Sequence, residues 1–290
     1  MPASPSPAPL GIVAGRGDLP GRLAESARAQ GRSIFMLALE GQADPELVRH
    51  YPHAWVRLAD GAAALSHLRG ANVREVVFAG GVRRPSLLSL RPDRRAAAFL
   101  AKAGWRALGD DSLLSAIVAE FEVEGFRVIG ADQIWGEGRM PAGALTKTEP
   151  DDAAWRDIRR GVEVVQALGR VDVGQGCVVQ QGIVLAVEAV EGTDAMLARA
   201  ASLRRDGPGG VLVKLAKPAQ DLRIDLPTVG PDTIRRGFAA GLRGLAVEAG
   251  SALVMERAAL IDAADAAGLF VYGIDPARIL REAPAAHDPV

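Results

Sequence analysis

Short apolar runs that stop at glycine alternate along this chain with segments of helical period, and no other feature limits the fold as much. Residues 10–14 (LGIVA), 33–39 and 74–79 each read as a buried strand. Between them, residues 20–30 carry Leu23, Ala24 and Ala27 at helical spacing and close at Gly31. Residues 62–68 form a shorter helix ended by Gly70. Helices at 93–105 and 111–124 and a strand at 126–129 follow. Strands that alternate with helices predict a parallel sheet, here a Rossmann-like α/β domain over 10–135. Residues 1–9 read as a flexible arm and 136–150, rich in turn residues and poor in periodicity, as a linker.

The pattern then restarts over 151–280 as a second α/β domain with a mixed sheet. Helices are expected at 151–168, 194–203, 231–240 and 257–267. Strands are expected at 177–180, 183–190, 210–216, 245–248, 252–255 and 269–272, with a hairpin about Gln181-Gly182 and a second pair about Ala249-Gly250. Residues 281–290 read as a flexible tail. Two domains suit a chain of 290 residues.

Composition excludes several classes of function. The 34 basic and 35 acidic residues nearly cancel, and only 4% of residues are aromatic, so neither a basic nucleic-acid surface nor a base-stacking platform is expected. The single cysteine, Cys177, excludes an internal disulfide framework and a cysteine-rich zinc site; inside an apolar strand it reads as core. No window reaches about 18 consecutive apolar residues, so no transmembrane span is expected. The first residues lack a signal-peptide pattern.

Four constellations carry polar chemistry. Gly15, Gly17 and Asp18 lie between a strand and a helix, where backbone amides and a helix N-terminus suit a phosphate. Gly80, Gly81 and Arg83 follow the third strand, at the edge where open α/β sheets bind ligands. In the stretch KLAKPAQDLRIDLPTVGP, Asp221, Arg223 and Asp225 alternate with apolar residues, so an extended segment puts all three on one face, with Lys214 and Lys217 upstream. Glu188 shares a strand face with Val184 and Ala186, a costly place for an unpaired carboxylate. Beyond it lie Glu191, Thr193 and Asp194, where Thr193 suits a helix N-cap and Asp194 a first turn. The Gly15 loop with Glu40 also admits an NAD(P)-linked oxidoreductase, though Pro20 stands where the third fingerprint glycine belongs. A non-catalytic nucleotide-sugar sensor uses the same loops without turnover. With no GxSxG elbow and no HExxH pair, direct attack by water is favoured over a covalent route.

The blocks GIVAGRGDLP, FAGGVRRPSL, LRPD, GDDSLL, VDVGQGCVVQ, AVEAVEGTDAM, VLVKLAKPAQDLRIDLPTVGP and LAVEAG together are highly specific. Through them the chain resembles, from about residue 10 to residue 275, the UDP-2,3-diacylglucosamine pyrophosphatases of lipid A biosynthesis, in the branch unrelated to the calcineurin-like metallophosphoesterases. The resemblance implies Mg²⁺-dependent hydrolysis of UDP-2,3-diacylglucosamine to lipid X and UMP, with water attacking the sugar-side phosphorus. It implies a cytoplasmic homodimer with room for a peripheral inner-membrane contact. It places the key acid at Asp225. Asp221, Lys214 and Lys217 are its expected catalytic partners, and Glu188 is a second metal ligand. Substrate contacts are expected from Gln175, Glu191, Thr193, Asp194, Gln220, Arg223 and Thr228, besides the glycine loops and Arg83.

Overall fold

In a computed structural model of the chain, residues 8–83, 110–135, 138–218, 220–224 and 226–281 are described. The chain divides into two units. The first comprises Met1–Glu137 with Asp221–Asp225, and the second Gly138–Gln220 with Leu226–Val290.

Unit 1 is built on five parallel strands, β1 (Leu10–Ala14), β2 (Ile34–Leu39), β3 (His53–Val56), β4 (Glu75–Ala79) and β5 (Arg127–Val128), in the order β3-β2-β1-β4-β5. All five residues of β1 are buried, because the strand sits between two neighbours and both its faces are covered. That double burial is why its sequence is apolar without alternation. Helix α1 (Leu19–Ala29) buries Leu23, Ala24 and Ala27 and ends at Gly31, whose positive φ an L side chain resists. The short α2 (Pro45–Val48) starts at Asp44, whose side chain accepts from Glu46 N at 2.9 Å. Asp60 caps α3 (Gly61–Gly70) in the same way through Ala63 N. Helix α4 (Asp110–Val123) brings Phe121 edge-on to Phe78, and α5 (Ala131–Trp135) follows β5. The expected helix at 93–105 and the LRPD block lie outside the described residues, as do the terminal segments 1–7 and 282–290. β3 was not expected. Its first residue is exposed, so no apolar pattern marks it, and it is defined by pairing with β2 from Met36↔His53 onward.

Unit 2 carries a six-stranded mixed sheet in which β6 (Gly143–Ala144), β13 (Phe270–Ile274), β11 (Leu242–Glu248), β9 (Gly210–Lys214), β7 (Gly176–Gln180) and β8 (Ile183–Val187) follow in that order. β9, β11 and β13 are parallel. β7 and β8 form the expected hairpin, with Gln181 and Gly182 both at positive φ. Along β7, Cys177 and Val179 face one core and Val178 the other, the period of two that a strand imposes. Helix α6 (Asp152–Arg170) covers the first face through Ala154, Ile158, Val162 and Val165. Gly161 permits its close approach, since a Cβ there would lie 2.4 Å from Val213 Cγ2. The other face is covered by α7 (Gly192–Ala201), α8 (Pro231–Ala239) and α9 (Arg257–Ala266), and α10 (Pro276–Arg281) closes the described chain.

Two expectations change here. The segment read as a linker supplies an edge strand, β6 (Gly143–Ala144), antiparallel to β13, and Met140 N donates to Ala252 O at 2.8 Å. The strands at 245–248 and 252–255 do not pair: β12 (Leu253–Val254) joins β10 (Thr228–Val229) in a separate ribbon. Among the described residues no helix is long and apolar enough to cross a membrane.

Cys177 is fully buried and donates weakly to Gly161 O at 3.6 Å. Burial pushes its thiol up to about 12. At pH 8 the folded protein is therefore expected to resist a thiol reagent such as DTNB, and to react with one equivalent once unfolded in guanidinium. Prompt reaction of the native protein would contradict a core position.

Candidate active site

The residues singled out in the sequence gather in two groups, one in each unit. In unit 1, β1 and β4 are the neighbours where the strand order reverses, so their carboxyl ends form the expected ligand crevice. Both glycine loops lie there, but the structure gives their glycines a different task. Arg16 N donates to Gly81 O at 2.8 Å, Gly81 N to Arg16 O at 3.2 Å, and Gly15 N to Ala79 O at 2.8 Å. A Cβ on Gly15 would lie 2.6 Å from Gly81 O, and one on Gly80 2.4 Å from Arg16 O. These amides are committed to a backbone bridge, which corrects the reading of Gly15 and Gly81 as a phosphate cradle. Gly17, at φ +86 with open space around its Cβ position, is the glycine that leaves room beside the N-terminus of α1. Asp18 makes no cap bond there and instead pairs with Arg22 at 2.8 Å.

The backbone of Arg83 is held by a residue that sequence reasoning missed. Gln42 Oε1 accepts from Arg83 N at 2.9 Å and its Nε2 donates to Arg83 O at 3.4 Å. Its only signal in the sequence was its place just after β2, at the same sheet edge. The exposed Glu40, which the oxidoreductase reading needs, also lies at that edge.

Residues 222–224 form a turn and not an extended strand. Ile224 N donates to Asp221 O at 3.0 Å. Asp221 accepts from the Arg223 backbone at 3.0 Å and from its guanidinium at 2.9 and 2.7 Å, and Arg223 also pairs with Glu122 at 2.6 Å. The Arg223 guanidinium holds the Asp221 carboxyl below its usual range, and Asp221 in turn raises Arg223. Local hydrogen bonding thus overrides the alternation. Both oxygens of Asp221 face Arg223, so in this arrangement the carboxylate anchors an arginine. Asp225 lies outside the described residues.

In unit 2 the site forms where β9 ends. Lys214, its last residue, is 5% exposed, and its Nζ donates to Thr193 Oγ1 at 2.6 Å. Thr193 Oγ1 donates in turn to Glu188 Oε1 at 2.7 Å. Thr193 therefore does not cap α7, whose N-cap is Glu191. Glu188 is 6% exposed, and among the described residues its Oε2 has no hydrogen-bond partner. That oxygen lies 2.7 Å from where a Gly176 Cβ would stand, a position also near the Met196 methyl. It faces the interior, so Glu188 offers no open side to a hydrated cation. Among the described residues no cluster of three metal-ligating side chains occurs.

The loop after β9 is braced at several points. Lys217 Nζ pairs with Asp172 Oδ1 at 2.6 Å, Lys217 N donates to Gln220 Oε1 at 2.9 Å, and Gln220 Nε2 reaches Gln175 Oε1 at 3.4 Å. Leu215 N donates to Gln175 O and Ala216 N to Glu248 Oε2, both at 2.9 Å. Asp172 and Glu248 were missed, although both lie in blocks that carry the resemblance. The remaining candidates act locally. Glu191 pairs with Arg199 at 2.5 Å, and a hydrogen bond from its own backbone N–H chiefly keeps its carboxyl below the usual range. Asp194 pairs with Arg236 at 3.3 Å on the surface, and Thr228 Oγ1 donates to Leu226 O within the ribbon.

Unit 2 thus provides a buried ammonium at a strand end and a braced basic loop, and unit 1, by itself, a helix N-terminus at a sheet edge; each is a feature suited to a phosphorylated ligand. Two family models, described as the LpxI N-terminal domain and the LpxI C-terminal domain, match residues 9–138 and 141–272. The chain is 45% identical over 274 residues to the UDP-2,3-diacylglucosamine pyrophosphatase LpxI of Caulobacter vibrioides (strain ATCC 19089 / CIP 103742 / CB 15), which covers 92% of this chain and 98% of that protein. Matches of this extent in both halves establish that the chain belongs to the LpxI family.

Proposed function

We propose that this protein hydrolyses the diphosphate of UDP-2,3-diacylglucosamine in lipid A biosynthesis, releasing 2,3-diacylglucosamine 1-phosphate (lipid X) and UMP. The observation that carries this reading is the 45% identity across nearly the whole of a relative with that named activity. A pyrophosphatase family favours turnover over a nucleotide-sugar sensor, and hydrolysis over nicotinamide chemistry.

In this reading water adds to the sugar-side phosphorus. The new P–O bond forms as the bridging P–O bond breaks, the bridging oxygen leaves with UMP, and a proton passes to solvent. Lys214 donates to the oxygens that gain charge, from a site that excludes water and so strengthens the contact. Lys217, held by Asp172, adds positive charge on the same loop. In unit 1, Arg83 and the N-terminus of α1 are the groups suited to phosphate oxygens. Mg²⁺ belongs to the reading: Asp225 would hold it, and it would neutralise charge on the diphosphate. The protein acts as a cytoplasmic homodimer, with a peripheral inner-membrane contact giving access to its acylated substrate.

The test is hydrolysis in H₂¹⁸O with mass analysis of both products. The label is expected in lipid X. Label in UMP would refute attack at the sugar-side phosphorus, and absence of UMP release would refute the activity.

A further inference from the structure

We propose that Gly176, Glu188 and Thr193 form one positioning relay that aims the Lys214 ammonium at the substrate diphosphate, with Thr193 acting through Lys214 and not as a substrate contact. The proposal rests on the role given above to Lys214.

A threonine hydroxyl has one proton to donate. Here Glu188 Oε1 takes it at 2.7 Å, so the 2.6 Å contact with Lys214 runs from Nζ to Oγ1. The direction of both bonds is thereby fixed. Lys214 uses one of its three N–H bonds on Thr193, and among the described residues no carboxylate lies within ion-pair distance of it. Among the described residues its other two N–H bonds meet no acceptor, which leaves them for phosphate oxygens. Glu188 is buried, and a buried carboxylate needs nearby positive charge. Lys214 supplies it through the hydroxyl, and the carboxylate in turn holds the hydroxyl still.

The glycines of the VDVGQG stretch explain how Glu188 is seated. A Cβ on Gly174 would lie 1.9 Å from Glu188 O, and one on Gly176 would lie 2.7 Å from Glu188 Oε2. Gly174 admits the backbone of Glu188 and Gly176 its carboxylate. Glu188 N also donates to Gly176 O at 2.8 Å, so the two residues are tied together. This assigns Glu188 to positioning, in place of the metal-ligand role expected from the sequence.

The test combines a mutant cycle with amine labelling of the full-length protein. Thr193→Val and Gly176→Ala are expected to lower kcat by about 10–100-fold, the scale of losing a charge-assisted hydrogen bond. Thr193→Ser, which keeps both bonds, should remain within about 3-fold of wild type. In a Lys214→Met background, Thr193→Val should cost less than about 3-fold more, because its effect passes through the missing ammonium. Losses that multiply in that background would overturn the relay. Independently of turnover, competitive acetylation read by mass spectrometry compares Lys214 with the exposed Lys147. Thr193→Val and Glu188→Leu should speed labelling of Lys214 and leave Lys147 unchanged, and an unchanged Lys214 rate would also overturn the relay. Glu188→Leu supplies the readout should Gly176→Ala fail to fold. A wild-type protein that releases no UMP defeats the functional reading alone, since the labelling still reports on the relay.

Discussion

Lys214→Met is expected to lower kcat for UDP-2,3-diacylglucosamine by about 10²–10³-fold, with a smaller change in KM. Lys214 ends β9, at the carboxyl edge where the parallel strands of unit 2 deliver their side chains. It is almost fully buried, so its charge acts through little solvent. Charge on the diphosphate oxygens grows as the bridging bond breaks, so an ammonium fixed beside them stabilises the transition state more than the ground state. Methionine keeps the length of the stem and its packing, and Val213 and Leu215 on either side remain core residues. The melting temperature should still fall, because the buried Glu188 carboxylate loses its compensating charge, so activity is compared at a temperature where both proteins stay folded. Steady-state assay of UMP release checks this, and a kcat within about 3-fold of wild type would remove Lys214 from the reaction.

The second large effect is expected from Asp225→Ala: loss of turnover by at least about 10³-fold, with no recovery as Mg²⁺ is raised. Wild-type enzyme stripped with EDTA should lose activity and regain it on titration with Mg²⁺. Asp225 directly follows the turn that Arg223 holds between Asp221 and Glu122. Asp221 anchors that arginine, and the proposed role of cation ligand or water-orienting acid falls to Asp225, the position the family resemblance marks. Asp225→Asn keeps the side-chain shape without the charge and should be nearly as inactive. Near wild-type turnover of either variant would refute the role of Asp225, and activity unaffected by EDTA would refute the use of Mg²⁺.

Much of the fold was legible because it follows from local pattern. Buried parallel strands such as β1 read as unbroken apolar runs, and α6 shows its apolar face at intervals of three and four. Strands of low apolar content did not show themselves. β3, β6 and β10 are short or lie at edges, and only pairing with a distant partner defines them. For the site, residue types and neighbourhoods were visible while partners were not. The sequence marked Lys214, Glu188 and Thr193 separately, and it set Thr193 at a helix cap, the local choice for that residue.

By itself the sequence determined the class of fold, the doubling into two α/β halves and the family, and it marked the residues proposed here for phosphate chemistry. Tertiary structure decided what those residues do. It joined Gly15 and Arg16 to Gly80 and Gly81 across the carboxyl ends of β1 and β4. It grouped Asp221–Asp225 with unit 1 although most of the neighbouring chain belongs to unit 2. It made Gly176 the seat of a carboxylate twelve residues away. The reason is physical: periodicity and capping act within a few residues, whereas the direction of a hydrogen bond and the room for a side chain depend on groups that only folding brings together.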